Sequence, residues 1–321
     1  MKKFHLLIIL MIAFGYTSAQ NYNVTVTVKS QNAALSNLKT KMSKTLSALF
    51  TELNRAYANS CDPILSGMAL SDDARHDILS IWATSHICPA SNTIYVQALN
   101  FHSSDNGQVQ VRGIPAIFCP VSGGTREKQE IVCNFNTSGT LISFNIAIAQ
   151  NQYTDIIKAG INETETARRA MILQYVEQFK TAYEKKDINF LETIFRDDAL
   201  IITGRKITRQ SGDGRWKTQV ELTAKTKREY LTALRKVFNS SSRIILKFDD
   251  IKIYKHPNKN LSQWYGVKLI QTWSSSNGYN DKGDLFLLWD FSDERRPIIH
   301  VRAWSDINNK IDWVITDFPI N

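Results

Sequence analysis

The segment DDALIITGR, residues 197–205, decides the predicted fold through its position between other elements. Its two acidic residues end a short helix, and the apolar run 199–203 then predicts a strand. An amphipathic helix over 162–185 precedes the short helix, and a third helix begins near residue 226. This order predicts a curved sheet wrapped around helices, an arrangement that often encloses a pocket.

Capping residues mark where the three helices begin. Asn162 with Glu165 resembles a capping box, Asp187 caps the short helix, and Thr226 with Glu229 forms a full capping-box pattern. Long aromatic-rich strands follow the third helix, at 243–254, 263–273, 284–291 and 298–304.

The first half of the chain also mixes helices with strands. Alternation over 22–28 predicts a half-buried strand, a leucine-rich stripe over 35–53 predicts a long helix, and Ser71 begins a second helix. Strands are then predicted at 93–101, 109–119, 130–135 and 141–148. The fold class is therefore α+β, and the first half consists of helices packed on an antiparallel meander.

The N-terminus predicts export. Residues 1–19 combine a basic start, an apolar run over 4–14 and a small-residue cleavage site, the pattern of a removed secretory signal. About 300 residues remain, enough for two domains, and we place their boundary between 20–160 and 161–321.

Four cysteines, all in the first half, fit an exported chain with two disulfides. We expect Cys119 to pair with Cys133 across a turn region, which leaves Cys61 for Cys88. No spacing of cysteine and histidine indicates a metal site, and we expect no cofactor.

The runs YVEQFKTAY (175–183) and IFRDDA (194–199) resemble the nuclear-transport-factor-two-like superfamily. That resemblance implies a cone in which a bent antiparallel sheet encloses helices. The whole chain also resembles an exported two-domain family of Bacteroidetes, around 197–205 and IIHVRAW (298–304). The resemblance implies a bacterial protein of the periplasm or cell surface, but it leaves the function open because the superfamily serves many functions.

The last two strands carry the best binding candidates. Alternation places His300, Arg302 and Trp304 on one face, and one register places Trp289 beside His300. With Tyr265 on the preceding strand, these residues predict a half-apolar ligand pocket. A sheet surface facing solvent or a second copy of the chain is the alternative.

Catalysis would need an acid or base inside the cone. Superfamily enzymes generally use an Asp or an Asp–His pair with tyrosine donors, which makes Asp198 and an Asp290–His300 pair the candidates here. Tyr183, Tyr230 and Tyr265 could supply the hydroxyl groups.

The formal net charge of +9 is concentrated in one segment. Residues 205–236 (Arg205 to Lys236) contain ten basic and three acidic residues, a pattern that suits an anionic surface. The export signal and the lack of a recognised motif disfavour nucleic acid.

These features predict an exported, non-catalytic binding or scaffold protein whose second domain contacts a small ligand or an envelope protein. A homodimer through the sheet is a further option, and the alternative function is a small-molecule isomerase or lyase.

Overall fold

The computed structural model describes residues 21–30, 32, 35–100, 108–160, 162–210, 212 and 214–318, and the predicted export signal lies outside these residues. Within them, six α-helices and two six-stranded sheets form a mixed α+β structure. None of the helices in these ranges has the length and apolar character needed to cross a membrane.

The first sheet contains the predicted meander. Its elements are β1 (Thr25–Lys29), α1 (Ser36–Ala58), α2 (Asp72–Trp82), β2 (Ser85–Pro89), β3 (Thr93–Asn100), β4 (Val109–Pro120), β5 (Glu127–Phe135) and β6 (Leu141–Ile146). Strands β3 to β6 are antiparallel as predicted, but β1 runs parallel to β3, and the unpredicted β2 pairs with β4. The connection from β1 to β3 contains two helices. A crossover of this length can return the chain to the end of the sheet where β1 began, so that β3 runs in the same direction as β1.

Helix α1 covers the open edge of the first sheet. The backbone N–H groups of β1 and the residue before it donate to three hydroxyl groups of α1: Val24 to Thr51 (2.9 Å), Val26 to Ser47 (2.8 Å) and Val28 to Ser43 (3.0 Å). These hydroxyl groups recur every fourth residue and therefore share one face of the helix. They satisfy an edge that would otherwise be able to pair with another chain.

The second half forms the other sheet. Its elements are α3 (Gln150–Lys158), α4 (Glu163–Glu184), α5 (Ile188–Ile194), β7 (Phe195–Gln210), β8 (Trp216–Lys225), α6 (Lys227–Ser240), β9 (Ile244–Lys255), β10 (Trp264–Ser275), β11 (Asn280–Asp290) and β12 (Ile298–Asp306). The strand order is β8-β7-β12-β11-β10-β9. The sheet is mixed rather than antiparallel throughout, because β7 and β12 run parallel. Helix α3 and strand β8 were not predicted.

The predicted helix caps are confirmed. The side chain of Asn162 accepts a hydrogen bond from the N–H of Glu165, and Thr226 with Glu229 forms a complete capping box. Ser71 and Asp187 cap α2 and α5 in the same way. Cap chemistry therefore fixed the beginnings of four helices.

The second sheet has two covered faces. Its inner face, defined here as the one that packs on α4, α5 and α6, forms the larger apolar core. Its outer face carries Phe286, Leu288 and Val301, which pack against the C-terminal residues Ile315 and Phe318. Tyr153 and Ile156 of α3 also belong to the inner core, although α3 precedes the predicted domain boundary near residue 160. That boundary stays a prediction.

Helix α4 joins the two halves with buried polar contacts. Arg112 of β4 makes a bidentate ion pair with Glu177, at 2.6 and 2.8 Å. Glu177 also accepts from the N–H of Ile148, and Thr181 accepts from the N–H of Ile146 at 2.9 Å. The acceptors on α4 therefore satisfy backbone N–H groups at the β6 edge of the first sheet, just as the hydroxyl groups of α1 satisfy those at the β1 edge.

The cysteines do not form the expected disulfides. All four are free, and the thiol beside Cys119 is that of Cys88, with the sulfur atoms 3.6 Å apart. The expected pairing missed this neighbour because it overlooked β2, which places Cys88 next to β4. Cys133 is fully buried in the first core, and Cys61 is exposed.

Candidate functional site

A cavity of about 330 Å³ lies between α6 and the inner face of the second sheet. Its volume falls in the range of small-molecule sites. We call it the helix–sheet pocket, and its described lining residues are Thr203, Gly204, Lys225, Tyr230, Ala233, Leu234, Val237, Gln271, Trp273, Asn277, Tyr279, Asp281, Arg302 and Trp304.

A β-bulge in β12 decides which of its side chains reach the pocket. Leu287 lies opposite Arg302, but Trp289 lies opposite Ile299, so His300 is the extra residue. The bulge puts Ile299 on the inner face and turns His300 away from it. The expectation that His300 shares a face with Arg302 is therefore wrong, because simple alternation cannot anticipate an inserted residue.

Arg302 places a positive charge in a nearly dry site. The residue is 6% exposed, and its guanidinium carbon lies 5.2 Å from the centroid of the Tyr230 ring. No carboxylate within the described ranges forms an ion pair with it, and its Nε has no hydrogen-bond acceptor. Arginine stays protonated in proteins. The hydroxyl of Tyr183 is a hydrogen-bond partner of the guanidinium, but a buried charge without an ion pair is costly, which makes Arg302 a candidate for a functional role.

Two tyrosine hydroxyl groups meet beside Arg302. The hydroxyl oxygens of Tyr183 and Tyr230 are 2.6 Å apart. Burial, together with the neighbouring Tyr230, raises the pKa of Tyr183 well above its ordinary value. Both hydroxyl groups were considered as donors from sequence, and Tyr183 keeps its proton at neutral pH.

Two indole groups form the apolar walls. Trp273 and Trp304 are almost fully buried, and the Nε1–H of each lacks an acceptor within the described structure. Gly204 and Gly283 make room for Trp304, since a Cβ atom on Gly204 would lie 2.2 Å from the indole and one on Gly283 would lie 2.5 Å from it. The tryptophan therefore fits only because two neighbouring strands carry glycine at these positions.

Asp281 contributes a carboxylate to the lining. It lies opposite Trp273 in the β10–β11 pair and accepts a hydrogen bond from the hydroxyl of Tyr279 at 2.7 Å. Its negative charge attracts the guanidinium of Arg302. Sequence reasoning missed Asp281, Trp273 and the buried Gln271. The signal for Gln271 was present, because this polar residue occupies an inward position of an otherwise apolar alternation along β10.

The predicted Asp–His pair exists, but on the outer face. The Nε2 atom of His300 lies 3.8 Å from a carboxylate oxygen of Asp290, and its Nδ1 lies 3.0 Å from Arg196. The imidazole centroid is 4.1 Å from that of Trp264. Burial, aided by the Arg196 charge, lowers the pKa of His300 to about 4. The imidazole is therefore neutral at pH 7 and lies away from the helix–sheet pocket.

Asp198 lies at the surface. Its side chain is 69% exposed and pairs with Arg196 at 2.8 Å. The strand β7 begins at Phe195, four residues earlier than the sequence suggested, and carries Asp198 outside the inner core. The structure does not bring this carboxylate into the pocket.

Tyr265 and Trp289 lie on the inner face but outside the described lining of the pocket. They are paired across β10 and β11, and the ring of Phe291 lies 6.0 Å from Tyr265 and 5.8 Å from Trp289. Gln271 of the pocket lies six residues further along β10, about 20 Å away at strand spacing. Of the five predicted ligand-binding residues, Arg302 and Trp304 reach the pocket.

A larger cavity, of about 440 Å³, is lined by residues from both halves of the chain. Its buried lysine, Lys180, is satisfied by Glu184 at 2.8 Å and by the side-chain oxygen of Gln129 at 3.3 Å. The buried cation of the larger cavity therefore has a carboxylate partner, unlike Arg302, although one carboxylate oxygen of the lining residue Glu130 has no hydrogen-bond donor in the described structure. No group of three metal-ligating side chains converges anywhere in the described ranges.

Comparison with known proteins gives limited similarity. No protein-family model and no curated protein matches the sequence. Among solved structures, Bd1075 of Bdellovibrio bacteriovorus is 15% identical with a TM-score of 0.34, over 52% of this chain and 48% of that one. A variant of the helical cell shape determining protein Pgp2 from Campylobacter jejuni is 16% identical with a TM-score of 0.33, over 43% and 40%.

A third similar structure is an NTF2-like protein from Cytophaga hutchinsonii. It is 17% identical with a TM-score of 0.32, and the match covers 46% of this chain and 100% of that one. This chain spans about half of Bd1075 and two fifths of the Pgp2 variant. Similarities at these TM-scores carry no argument about function.

Proposed function

We propose that the second half of the chain is a non-catalytic binding module that holds a small organic molecule in the helix–sheet pocket. The observation that supports this most is Arg302, a buried cation that faces a cavity and has no ion-pair partner among the described residues. A purely structural arginine would be expected to have a carboxylate partner, as Arg112 does.

The proposal includes the fold family and the location. We infer that the second half is a nuclear-transport-factor-two-like cone and that the chain is an exported bacterial protein of the periplasm or cell surface. The runs at 175–183 and 194–199 support the first inference, and residues 1–19 support the second. Intact mass measurement of the protein from its host tests export, since a mature chain should begin near Gln20.

A pocket-filling variant tests binding directly. Ala233 on α6 lines the pocket, whereas Thr232, its neighbour on the same helix, is exposed. A fragment library screened by ligand-observed NMR should give hits that Ala233→Phe weakens at least tenfold. Thr232→Phe, the matched control, should leave those hits unchanged. If no hit is sensitive to Ala233→Phe, the pocket is not a binding site and a scaffold role through the sheet takes its place.

Catalysis is the second candidate, and Asp281 is the observation that favours it. This carboxylate lines the pocket near Arg302 and is hydrogen bonded to Tyr279. An isomerase or lyase could use Asp281 as a base, with the Tyr183–Tyr230 pair as hydroxyl donors. Mass spectrometry of a bound molecule after prolonged incubation separates the two functions. A binding module should leave the molecule unchanged. A catalyst should convert it, and Asp281→Asn should abolish the conversion.

The basic segment 205–236 is proposed as a contact for an anionic envelope surface. Its described side chains include exposed Arg209, Arg228 and Lys236, and Trp216 is 70% exposed. Cosedimentation with vesicles that contain anionic lipid should exceed that with neutral vesicles and should fall when salt is raised. Equal binding to both kinds of vesicle would remove this contact from the proposal.

A further inference from the structure

We infer that the ligand of the helix–sheet pocket is a small organic carboxylate with an apolar or aromatic body. This inference rests on the proposed binding function and names the chemistry that the pocket selects. It follows from the kind of hydrogen-bonding group that the pocket leaves unmet, the charge at its base and the side chains that form its walls.

Three donor groups of the pocket walls are unmet within the described structure. The Nε–H of Arg302 and the Nε1–H groups of Trp273 and Trp304 are buried and lack acceptors within the described structure. All three residues line the same cavity. Indole and guanidinium nitrogens donate but cannot accept, so a ligand that satisfies them must supply acceptor oxygens. A neutral apolar ligand would leave each donor unmet at a cost of about 1–3 kcal/mol.

Among ligands that supply acceptor oxygens, the positive charge of Arg302 favours those that carry a negative charge. No described carboxylate forms an ion pair with the guanidinium, although the charge of Asp281 attracts it. A planar carboxylate matches the fork geometry of a guanidinium and can form two parallel hydrogen bonds with it. The charged side chains of the lining are Arg302, Lys225 and Asp281, and their formal charges sum to +1. A singly charged carboxylate balances this sum, and a doubly charged phosphate exceeds it.

The remaining lining describes the rest of the ligand. The two indole rings, Leu234 and Val237 provide an apolar surface that suits an aromatic or branched aliphatic body. Gln271, 4% exposed, also lines the cavity and can bind a second polar group.

Matched pairs of carboxylates and amides test the inference. Phenylacetate and phenylacetamide, and the corresponding phenylpropionate pair, have the same shape but differ in charge. We expect the wild-type protein to bind each carboxylate at least tenfold more tightly than its amide, as measured by calorimetry. Arg302→Met should reduce that preference to within twofold, while Arg302→Gln, which keeps N–H donors without the charge, should also lose it.

Two control variants separate Arg302 from charge in general. Arg235→Met removes an arginine on the same helix as the pocket wall, where it pairs with Glu192 at the surface. It should leave the tenfold preference in place. Lys225→Met removes the half-buried lysine of the lining and should reduce the preference less than threefold. A preference that disappears in Lys225→Met but survives in Arg302→Met would overturn the assignment.

The outcomes also distinguish this inference from the proposed function. If amides bind as tightly as carboxylates and Ala233→Phe weakens both, the pocket binds ligands but does not select an anion. If phenyl phosphate binds more tightly than phenylacetate, the ligand class is wrong. If neither the panel nor the fragment library contains a ligand that is sensitive to Ala233→Phe, the binding function itself fails.

Discussion

The guanidinium of Arg302 lies over the ring of Tyr230, 5.2 Å from its centroid, without an ion pair to any described carboxylate. The ring face attracts the cation, but this interaction is weaker than the hydration that burial removes. Arg112, which is also nearly buried, instead has a bidentate carboxylate partner in Glu177. The two residues therefore allow a comparison between a buried charge with a carboxylate partner and one that we propose binds a ligand.

Replacing each arginine with methionine should have opposite consequences for stability. Arg302→Met should leave the free energy of unfolding unchanged or raise it by about 1 kcal/mol, because an unpaired charge leaves the interior. Arg112→Met should lower it by about 3–5 kcal/mol, because Glu177 would stay buried without its partner. Urea unfolding measures both. Similar losses in the two variants would mean that Arg302 has a structural role and would weaken the binding proposal.

Arg302 also shows which pocket residues could be predicted from the sequence alone. Arg302 and Trp304 were predicted because they alternate with Val301 and Ala303 on a long strand. His300 was grouped with them, but the bulge that separates it has no clear sequence signature and comes from the pairing of β11 with β12. Periodicity therefore predicted the pocket residues on one side of the irregularity and failed on the other.

Strand positions were predicted better than strand neighbours. The limits of β9 to β12 differ from the predicted ones by four residues or fewer, because long alternating runs define them. The parallel pairing of β12 with β7 was not predicted, because these strands are almost one hundred residues apart in the chain. Asp281 and Trp273 became site residues only through such pairing, which spacing along the chain does not reveal.

Removing the hydroxyl of Thr181 should show how much its hydrogen bond from α4 to the edge of the first sheet contributes to stability. Thr181→Val has nearly the same shape but leaves the buried N–H of Ile146 without its acceptor. The free energy of unfolding should fall by about 1–3 kcal/mol, the cost of an unsatisfied buried donor. Amide hydrogen exchange at Ile146 should accelerate in the same variant. Thr232→Val on the exposed side of α6 is the control and should change neither quantity.

Adding one methyl group at Gly204 should disturb the wall of the helix–sheet pocket. A Cβ atom there would lie 2.2 Å from a ring carbon of Trp304, so the indole must move. Gly204→Ala should cost about 1–3 kcal/mol of stability, as overpacking of a close-packed site does. Ligand affinity should fall as well, and tryptophan fluorescence should shift.

The control for Gly204 is Gly212→Ala, since no atom lies within 4 Å of a Cβ at that position. We expect it to leave stability, affinity and fluorescence unchanged. Equal behaviour of the two variants would show that Trp304 is not fixed where the structure places it.

The neutral histidine on the outer face should make stability depend on pH. Burial first, and the Arg196 charge second, lower the pKa of His300 to about 4, below the value near 6.5 of an unfolded histidine. Between these values the unfolded chain binds a proton that the folded chain does not. The contribution of His300 is therefore fully present above pH 6.5 and is lost as the pH falls towards 4, by about 1–3 kcal/mol. Below pH 4 both states are protonated and the loss should level off.

Unfolding free energies measured from pH 4 to 7.5 in the wild type and in His300→Gln test this dependence. The difference between the two profiles should shrink as the pH falls, whereas Thr232→Val, on the exposed side of α6, should run parallel to the wild type. NMR titration of His300 gives an independent check, because its imidazole should begin to protonate only below about pH 5. An ordinary titration near pH 6.5 would show that solvent reaches the ring and that the contact with Trp264, at 4.1 Å between centroids, does not persist in solution.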